Sequence, residues 1–101
     1  MKNNLRVSVR FFTILKEITR KKEEILEFPG GENVTVAMVL KKLSERYGRR
    51  FTEYVFDSRT GEVRGFLQFL VNGRSADSFD GSETKLADGD ILAIVPPVGG
   101  G

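Results

Sequence analysis

The feature that most constrains the fold is a short, wholly apolar run near the end of the chain, Ile91–Val95, which Pro96 and Pro97 follow directly. A run that is apolar on both faces is typical of a strand inside a sheet, so we expect a buried interior strand here. Because proline cannot donate to a strand ladder, the two prolines should end the strand and continue the chain as an extended stem. The sequence therefore predicts a tail that leaves the domain from its most rigid element.

Two further strands are predicted near the start of the chain. Residues 5–11 alternate between apolar and polar side chains, which is the period of a strand with one buried face. The segment EEILEF, residues 23–28, is the second predicted strand, and the breakers Pro29, Gly30 and Gly31 end it. The intervening TILKEIT allows either one helical turn or a long connection, and the two strands are expected to form a hairpin.

The clearest helix begins after Thr35 and ends before Gly48. Thr35 can cap its start, since a threonine hydroxyl accepts a hydrogen bond from an early backbone N–H. Gly48 suits the left-handed position that ends a helix. Apolar side chains recur at helical spacing on one face, namely Val36, Val39, Leu40, Leu43 and Tyr47.

The second half of the chain is less regular. Residues 49–65 show no clear period and are expected to cover an edge of the core, with a turn at DSRTGE. The segment FLQFLV is the third predicted strand, and Asn72-Gly73 after it is a tight-turn signal because both residues tolerate positive φ. The polar stretch that follows is expected to hold at most a short edge strand, with another turn at LADGD.

This order of elements predicts the fold class. One amphipathic helix that joins two parallel strands and packs across a mixed sheet gives an α+β fold of the β-grasp arrangement. We expect residues 1–95 to form this domain and residues 96–101 to form a flexible C-terminal tail.

Composition limits the chemistry that the chain can perform. It has 101 residues with no cysteine and no histidine, which removes thiolate nucleophiles, imidazole or thiolate zinc ligands and the commonest general base. Neither a signal-peptide core nor an apolar run long enough to cross a bilayer is present, so we expect a soluble, cytoplasmic protein. Asp77, Asp80, Asp88 and Asp90 are interpreted as turn residues, and no metal site is expected.

The chemical group at the tip of the tail is the carboxylate of Gly101. Its pKa lies near ~3.5, so it is anionic at neutral pH and a poor acyl donor. Activation as an acyl-adenylate with ATP is the obvious route, and this chain has no phosphate-binding glycine loop to perform it, so the machinery is expected in another protein. The alternative is that the glycines are a frayed end or an expression remnant.

The segments VRFFTILKEI, TVAMVLKKLSERYG, LVNG and LADGDILAIVPPVGGG together resemble the small subunit of molybdopterin synthase. They also resemble the wider group of ubiquitin-like sulfur-carrier proteins. The resemblance covers nearly the whole chain apart from residues 49–65. Its specific part is the ending, in which DGD, an apolar strand, PPV and a terminal Gly-Gly occur together.

The resemblance implies a ubiquitin-like β-grasp carrier that is not itself a catalyst. In that family a ubiquitin-activating-type enzyme adenylates the last glycine, here Gly101, with ATP and magnesium, and sulfur transfer makes it a thiocarboxylate. The large subunit of the synthase then receives the tail, and the sulfur builds the dithiolene of the pterin precursor that binds molybdenum or tungsten. No cofactor is expected to remain bound to the carrier.

The resemblance also assigns partner-binding residues. Gly99 departs from the family's usual serine or alanine, which should add flexibility rather than abolish transfer. Val95 and Phe69 are guesses for the partner-facing apolar surface of the sheet, and each is equally expected to be plain core. The assigned residues are Gly100, Gly99, Val98, Pro97 and Pro96 in the tail, with Val95 and Phe69 on the sheet.

Two alternatives remain open at this point. Gly101 could instead be joined to a lysine of another protein, or its sulfur could pass to tRNA or to a thiamine precursor. A nucleic-acid-binding module is a hypothesis of another class, with core aromatics and solubilising charge as the favoured interpretation of the same residues. That module would use Arg46, Arg49, Arg50, Arg59 and Arg64 near Tyr54 and Phe56.

Overall fold

A computed structural model describes residues 4–30 and 33–97 of the protein. Within these residues the chain forms five strands and three α-helices, with two single turns of 3-10 helix before the last strand. The elements are β1 (Leu5–Phe11), α1 (Ile14–Thr19), β2 (Glu23–Phe28), α2 (Val36–Tyr47), α3 (Arg49–Val55), β3 (Gln68–Val71), β4 (Arg74–Ser75) and β5 (Ile91–Val95).

The five strands form one mixed sheet in the order β2-β1-β5-β3-β4. β1 and β5 run parallel, and the other neighbouring pairs are antiparallel. The expected interior position of β5 is confirmed, as is the antiparallel pairing of β1 with β2. Since β1 and β5 are parallel, their C-terminal ends lie at the same end of the sheet.

One face of the sheet and the three described helices enclose the hydrophobic core. The inward side chains of β1 and β5 alternate with outward ones, so Val7, Val9, Leu92 and Ile94 are fully buried. The predicted apolar face of α2 covers them, with Val36, Val39, Leu40 and Leu43 fully buried. The β-grasp fold predicted from the order of elements is therefore confirmed.

Thr35 and Gly48 lie at the two ends of α2, as predicted, but Gly48 does not adopt the predicted backbone conformation. The Thr35 hydroxyl accepts a hydrogen bond from the Met38 N–H at 3.2 Å. Gly48 has φ 82° and ψ −158°, which is not the left-handed helical conformation predicted for it. Its N–H donates to the Ser44 carbonyl, and its own carbonyl accepts from the Thr52 N–H, so this glycine ends α2 and starts α3 in one step.

The helix α3 is absent from the sequence prediction. Phe51 and Val55 lie one helical turn apart and are both fully buried, which anchors α3 to the core. The predicted turn after it is confirmed, because the Asp57 carboxylate accepts from the Arg59 N–H at 2.8 Å. β3 starts at Gln68 rather than Phe66, since a turn occupies residues 65–66.

The tight turn between β3 and β4 is confirmed. Asn72 and Gly73 have φ values of 51° and 86°, which is the pair of positive angles that a two-residue hairpin turn of type I′ requires. β4 is a two-residue edge strand, as the polar stretch suggested. In residues 4–30 and 33–97, no helix combines the length and apolar character needed to cross a membrane.

A buried carboxylate ties β2 to the end of α2. The Glu24 side chain is only 5% exposed and accepts hydrogen bonds from Tyr47 Oη at 2.6 Å and Lys21 Nζ at 2.7 Å. Arg46 contacts its second oxygen. Burial by itself raises the pKa of Glu24, but the hydrogen bonds from Lys21 and Tyr47 and the nearby positive charges outweigh it, so the pKa is lowered. Burial and the contact with Glu24 raise the pKa of Tyr47 to about 12.

Candidate functional site

The root of the tail is the C-terminal end of β5. Hydrogen bonds to β1 on one side and β3 on the other hold this strand, and Leu92 and Ile94 are fully buried. Pro96 is buried and Pro97 is exposed, so the domain's packing extends one residue beyond the strand. The tail therefore starts from a position that is fixed from both sides.

The residues to which the sequence assigns the chemistry lie beyond this root. Val98, Gly99, Gly100 and Gly101 lie outside the described residues. Their roles in activation and partner binding, and the flexibility of the tail, stay predictions.

The second face of the sheet is only partly covered by residues 4–30 and 33–97. By register, Ser8 and Arg10 of β1 lie beside Ile91 and Ala93 of β5, and Leu70 of β3 lies on the other side of Ala93. We call this the open face. Its β5 residues are half-buried, so the expectation that β5 is buried on both faces is wrong for this face, because all three described helices pack on the other one.

A depression of about 380 Å³ lies in the open face. Its floor is largely apolar, and a cation and a tight turn border it. Phe12, at its rim, is a large aromatic side chain that is 40% exposed. The depression is lined by Arg10, Phe12, Leu70, Ile91 and Ala93 together with Asn72 and Gly73. A concave, largely apolar surface of this kind can hold a protein partner.

The two predicted sheet residues lie on opposite faces. Val95 pairs with Gln68 and belongs to the open face, next to the root of the tail. Phe69 pairs with Ile94, and it packs half-buried against the core on the helix-covered side. The sequence left open whether each residue belongs to the core or to a partner-facing surface. Phe69 packs with the core, whereas Val95 lies on the open face.

Several residues of the depression were missed by the sequence analysis, although the β1 pattern contains a signal for one of them. Phe12 continues the polar row of Arg6, Ser8 and Arg10, where an apolar side chain has no buried face to join. A single exposed aromatic residue is not enough to indicate a binding surface, and Phe12 gains that meaning only because Leu70, Ile91 and Ala93 line the same depression. Leu70, Ile91 and Ala93 carry no comparable signal, because each lies within a run of consecutive apolar residues, Phe69–Val71 or Ile91–Val95.

Three of the five arginines of the nucleic-acid hypothesis contact other groups of the protein. Arg46 contacts Glu24, and Arg49 lies 3.4 Å from the Glu53 carboxylate. The Arg64 guanidinium donates twice to the Glu53 carbonyl, which ties the loop before β3 to α3.

The aromatic residues of that hypothesis face inward. Tyr54 and Phe56 pack half-buried against the core. The ring of Tyr54 also lies against Phe66, with centroids 5.6 Å apart. Burial raises the pKa of Tyr54. Neither ring is presented as a flat platform for a base.

The carboxylates near β5 support the turn, as predicted. Asp88 accepts from the Arg6 N–H at 2.7 Å, and Asp90 accepts from the Asn72 side chain at 2.9 Å and from the Ala87 N–H at 2.8 Å. These contacts fix the start of β5 and thereby the register of the strand that carries the tail. Across the described part of the chain, no three acidic, cysteine or histidine side chains come together as metal ligands would.

Comparison with known proteins places these features in context. The ThiS family model matches residues 9–101. Small archaeal modifier protein 3 of Haloferax volcanii is 32% identical over 97 residues, which cover 96% of this chain and 100% of that protein. A candidate sulfur carrier protein of Archaeoglobus fulgidus is 36% identical over 70 residues, which cover 69% of this chain and 77% of that protein. The solved structure of a candidate molybdopterin converting factor subunit 1 of Pyrococcus furiosus is similar with a TM-score of 0.71 at 26% identity, covering 93% of this chain and 99% of that one.

Proposed function

The chain belongs to the ThiS family, and from this membership we propose that it is a sulfur carrier whose Gly101 carboxylate is converted to a thiocarboxylate. Proteins of this kind are ubiquitin-like carriers or modifiers rather than catalysts, and they work with partner enzymes. The observation that carries the proposal is the extent of the family match, which runs through residue 101 and so includes the glycine tail.

The architecture supports this role. β5 lies in the interior of the sheet, so a tail that continues from it can bind a partner without loosening the core. The open face beside the root, with Phe12 and Leu70, gives that partner a surface to hold. The chain has neither cysteine nor histidine, which agrees with activation by another protein.

The chemistry requires two steps in the activating enzyme. A carboxylate oxygen of Gly101 attacks the α-phosphorus of magnesium-bound ATP, and the bond to pyrophosphate breaks, which leaves an acyl-adenylate. A sulfide-level sulfur then attacks the acyl carbon, and AMP departs with the bond electrons. The product is a terminal thiocarboxylate, whose sulfur is a stronger nucleophile than the original oxygen.

Molybdopterin synthesis is the acceptor pathway that we propose first. The similarity to the Pyrococcus furiosus protein supports it, as does the proline-rich stem of Pro96, Pro97 and Val98. In this pathway the large subunit of molybdopterin synthase binds the open face and the tail. The thiocarboxylate then donates sulfur to the pterin precursor held by that subunit.

Intact-mass spectrometry tests the carrier role. The full chain is produced together with a ubiquitin-activating-type enzyme and a sulfur donor, and its mass is compared with that of the chain produced alone. We expect an increase that corresponds to replacement of one oxygen by one sulfur, localised to the C-terminal peptide. An unchanged mass under sulfur-replete conditions, with the enzyme shown to be active, would contradict the proposal.

Protein modification is the second candidate function, and the similarity to the Haloferax volcanii modifier favours it. Activation is the same, but a lysine amine then attacks the acyl carbon of the adenylate, AMP departs with the bond electrons and the amine loses a proton, which leaves an isopeptide bond. Peptide mapping of cellular proteins for a glycine remnant on lysine distinguishes the two. Conjugates that depend on Gly101 support modification, whereas a stable complex with a synthase large subunit and no conjugates supports sulfur transfer.

A further inference from the structure

A strained turn joins β1 to α1, and we call residues 12–15 the Phe12 turn. Thr13 has φ 50° and ψ −121°, which is close to the geometry of the first central residue of a type II′ turn. The Phe12 carbonyl accepts a hydrogen bond from the Leu15 N–H at 3.1 Å, which closes the turn. This position favours glycine, because glycine has no Cβ to clash. A β-branched residue with positive φ is an outlier, so the turn holds Thr13 under strain.

Buried residues on both sides of the turn keep the strain in place. Before the turn, Phe11 is buried, and its N–H donates to the Lys22 carbonyl at 2.9 Å. After the turn, Leu15 is fully buried. Thr13 therefore cannot relax to a negative φ without displacing one of these two side chains from the core. Strain of this kind persists only where the surrounding structure imposes it.

The side chain of Thr13 does little for the folded domain itself. Thr13 is exposed and does not belong to the core cluster. Its hydroxyl donates to the carbonyl of the adjacent residue, Phe12, at 2.8 Å. A residue that strains the backbone without packing into the core lowers stability, and such residues are concentrated at functional sites. The effect of Thr13 is therefore to be sought at Phe12.

Phe12 lies between two depressions of the surface. It lines the open-face depression, and it also lines a second one of about 340 Å³ to which α1 and the start of β2 contribute Lys16, Lys22 and Glu23. The ring is 40% exposed, whereas two donors hold the carbonyl of the same residue, namely the Leu15 N–H and the Thr13 hydroxyl. An exposed aromatic side chain is thus carried on a backbone that is held firmly.

We propose that Thr13 is a positioning residue of the docking surface, and that its strained turn holds Phe12 in the exposed position in which a partner contacts it. The inference rests on the proposed function, because it takes the open face as the surface that the synthase large subunit binds. A β-branched residue has few conformations available with positive φ, so the turn keeps one geometry once Phe11 and Leu15 are buried. Phe12 is then ordered before the partner arrives, and binding does not bear the entropy cost of ordering it.

Thr13→Gly is the variant that tests the proposal. Glycine adopts the same turn without strain, but it also allows other conformations, so Phe12 becomes less ordered. We expect the unfolding temperature to rise and the affinity for the synthase large subunit to fall about three- to tenfold. Opposite changes in stability and affinity are the signature of a residue that serves function at a cost in stability. Thr13→Ser keeps the Cβ and the hydroxyl, so its affinity should stay within about twofold of the wild type.

NMR relaxation of the isotopically labelled full chain measures the order of Phe12 without any partner. The order parameter of the Phe12 amide should be about 0.85 in the wild type and in Thr13→Ser, and should fall toward about 0.6 in Thr13→Gly. Arg20→Gly is the matched control, because Arg20 also has a positive φ, of 64°, and lines neither depression. It should change neither the order parameter of Phe12 nor the affinity for the large subunit.

The outcomes separate this proposal from the proposed function. Wild-type affinity, an unchanged Phe12 order parameter or a lower unfolding temperature in Thr13→Gly would each overturn the role of Thr13. Phe12→Asp is measured beside it: if Phe12→Asp loses affinity and Thr13→Gly does not, only the role of Thr13 fails. If Phe12→Asp also binds normally, the open face is not the docking surface, and the role of Thr13 fails with it. The thiocarboxylate at Gly101, measured by intact mass, tests the carrier chemistry independently of both variants.

Discussion

The buried carboxylate of Glu24 should contribute to the stability of the fold, because three side chains contact it. Lys21, Arg46 and Tyr47 all reach it, so β2, the segment after α1 and the end of α2 meet at one carboxylate. A buried carboxylate is stabilising only while its partners remain in place. Its role was not evident from the sequence, in which Glu23 and Glu24 are adjacent and only the strand's register shows which one faces inward.

Replacement of Glu24 should destabilise the protein measurably. Glu24→Ala leaves Tyr47 Oη without its acceptor and removes the compensating charge beside Arg46, and we expect a loss of about 1–3 kcal/mol in the free energy of unfolding. Urea denaturation at neutral pH measures it. Glu23→Ala, at an exposed position one residue away, is the control and should cost much less. Equal effects of the two changes would contradict the assigned role.

The lowered pKa of Glu24 also predicts how stability depends on pH. Because its pKa is lower in the folded protein than its ordinary value of 4.5, its contribution is fully present above pH 4.5 and is lost as pH falls through the folded-state value. Unfolding free energies measured between about pH 3 and pH 7 should therefore fall more steeply for the wild type than for Glu24→Gln. Parallel curves would show that other carboxylates dominate acid unfolding.

At the scale of elements, the sequence predicted the strands and the helix that have a clear apolar period, but it did not predict the short helix α3. β1, β2 and α2 follow from period and capping, since each has one apolar face and clear breakers. α3 was missed because it is only seven residues long and no breaker separates it from α2 except Gly48. A short helix whose first residues are Arg49 and Arg50 has too few turns to show a helical period.

Gly48 is the element-scale feature with the sharpest test. Its φ of 82° with an extended ψ is a conformation that side-chain-bearing residues rarely adopt, and it lets α2 pass directly into α3. We expect Gly48→Ala to lower the free energy of unfolding by about 1–3 kcal/mol, measured by urea denaturation.

Gly65→Ala is the matched control for that change. A Cβ added at either glycine would meet no described atom within 4 Å, and of the two only Gly48 has a positive φ. Gly65→Ala should therefore leave stability nearly unchanged. A cost at Gly65 similar to that at Gly48 would show that backbone strain is not the cause.

For the whole molecule, the interior strand that precedes the tail could be predicted from the sequence, but the open-face depression could not. The apolar run and the two prolines identify β5 and its exit. The open-face depression combines residues from β1, β3 and β5 that are far apart in sequence, so it depends on strand order, which no local pattern contains.

Removal of the last two residues separates folding from function. A chain that ends at Gly99 should unfold at the same temperature as the full chain, because the described core, from Val7 to Ile94, lies before the residues that are removed. It should give no thiocarboxylate and no conjugate. Thermal unfolding and intact-mass spectrometry measure the two properties, and retained sulfur transfer by the shortened chain would contradict the proposed chemistry.

The open face is tested by a change at its rim. Phe12→Asp places a charge on a side chain that is 40% exposed, so the stability cost should be small. Affinity for a synthase large subunit should fall at least about tenfold if this face is the docking surface. Phe79→Asp, at another exposed aromatic residue outside the depression, is the control and should bind normally.

The placement of β5 between two hydrogen-bonded neighbours also determines how the protein responds to mechanical force. A pull on the tail acts along the axis of this strand, so it loads the ladders to β1 and β3 in shear, with many bonds sharing the force at once. A partner that pulled on the tail would therefore meet the resistance of both ladders before the strand left the sheet. Any unfolding motor that grips the same end would have to rupture the centre of the sheet first.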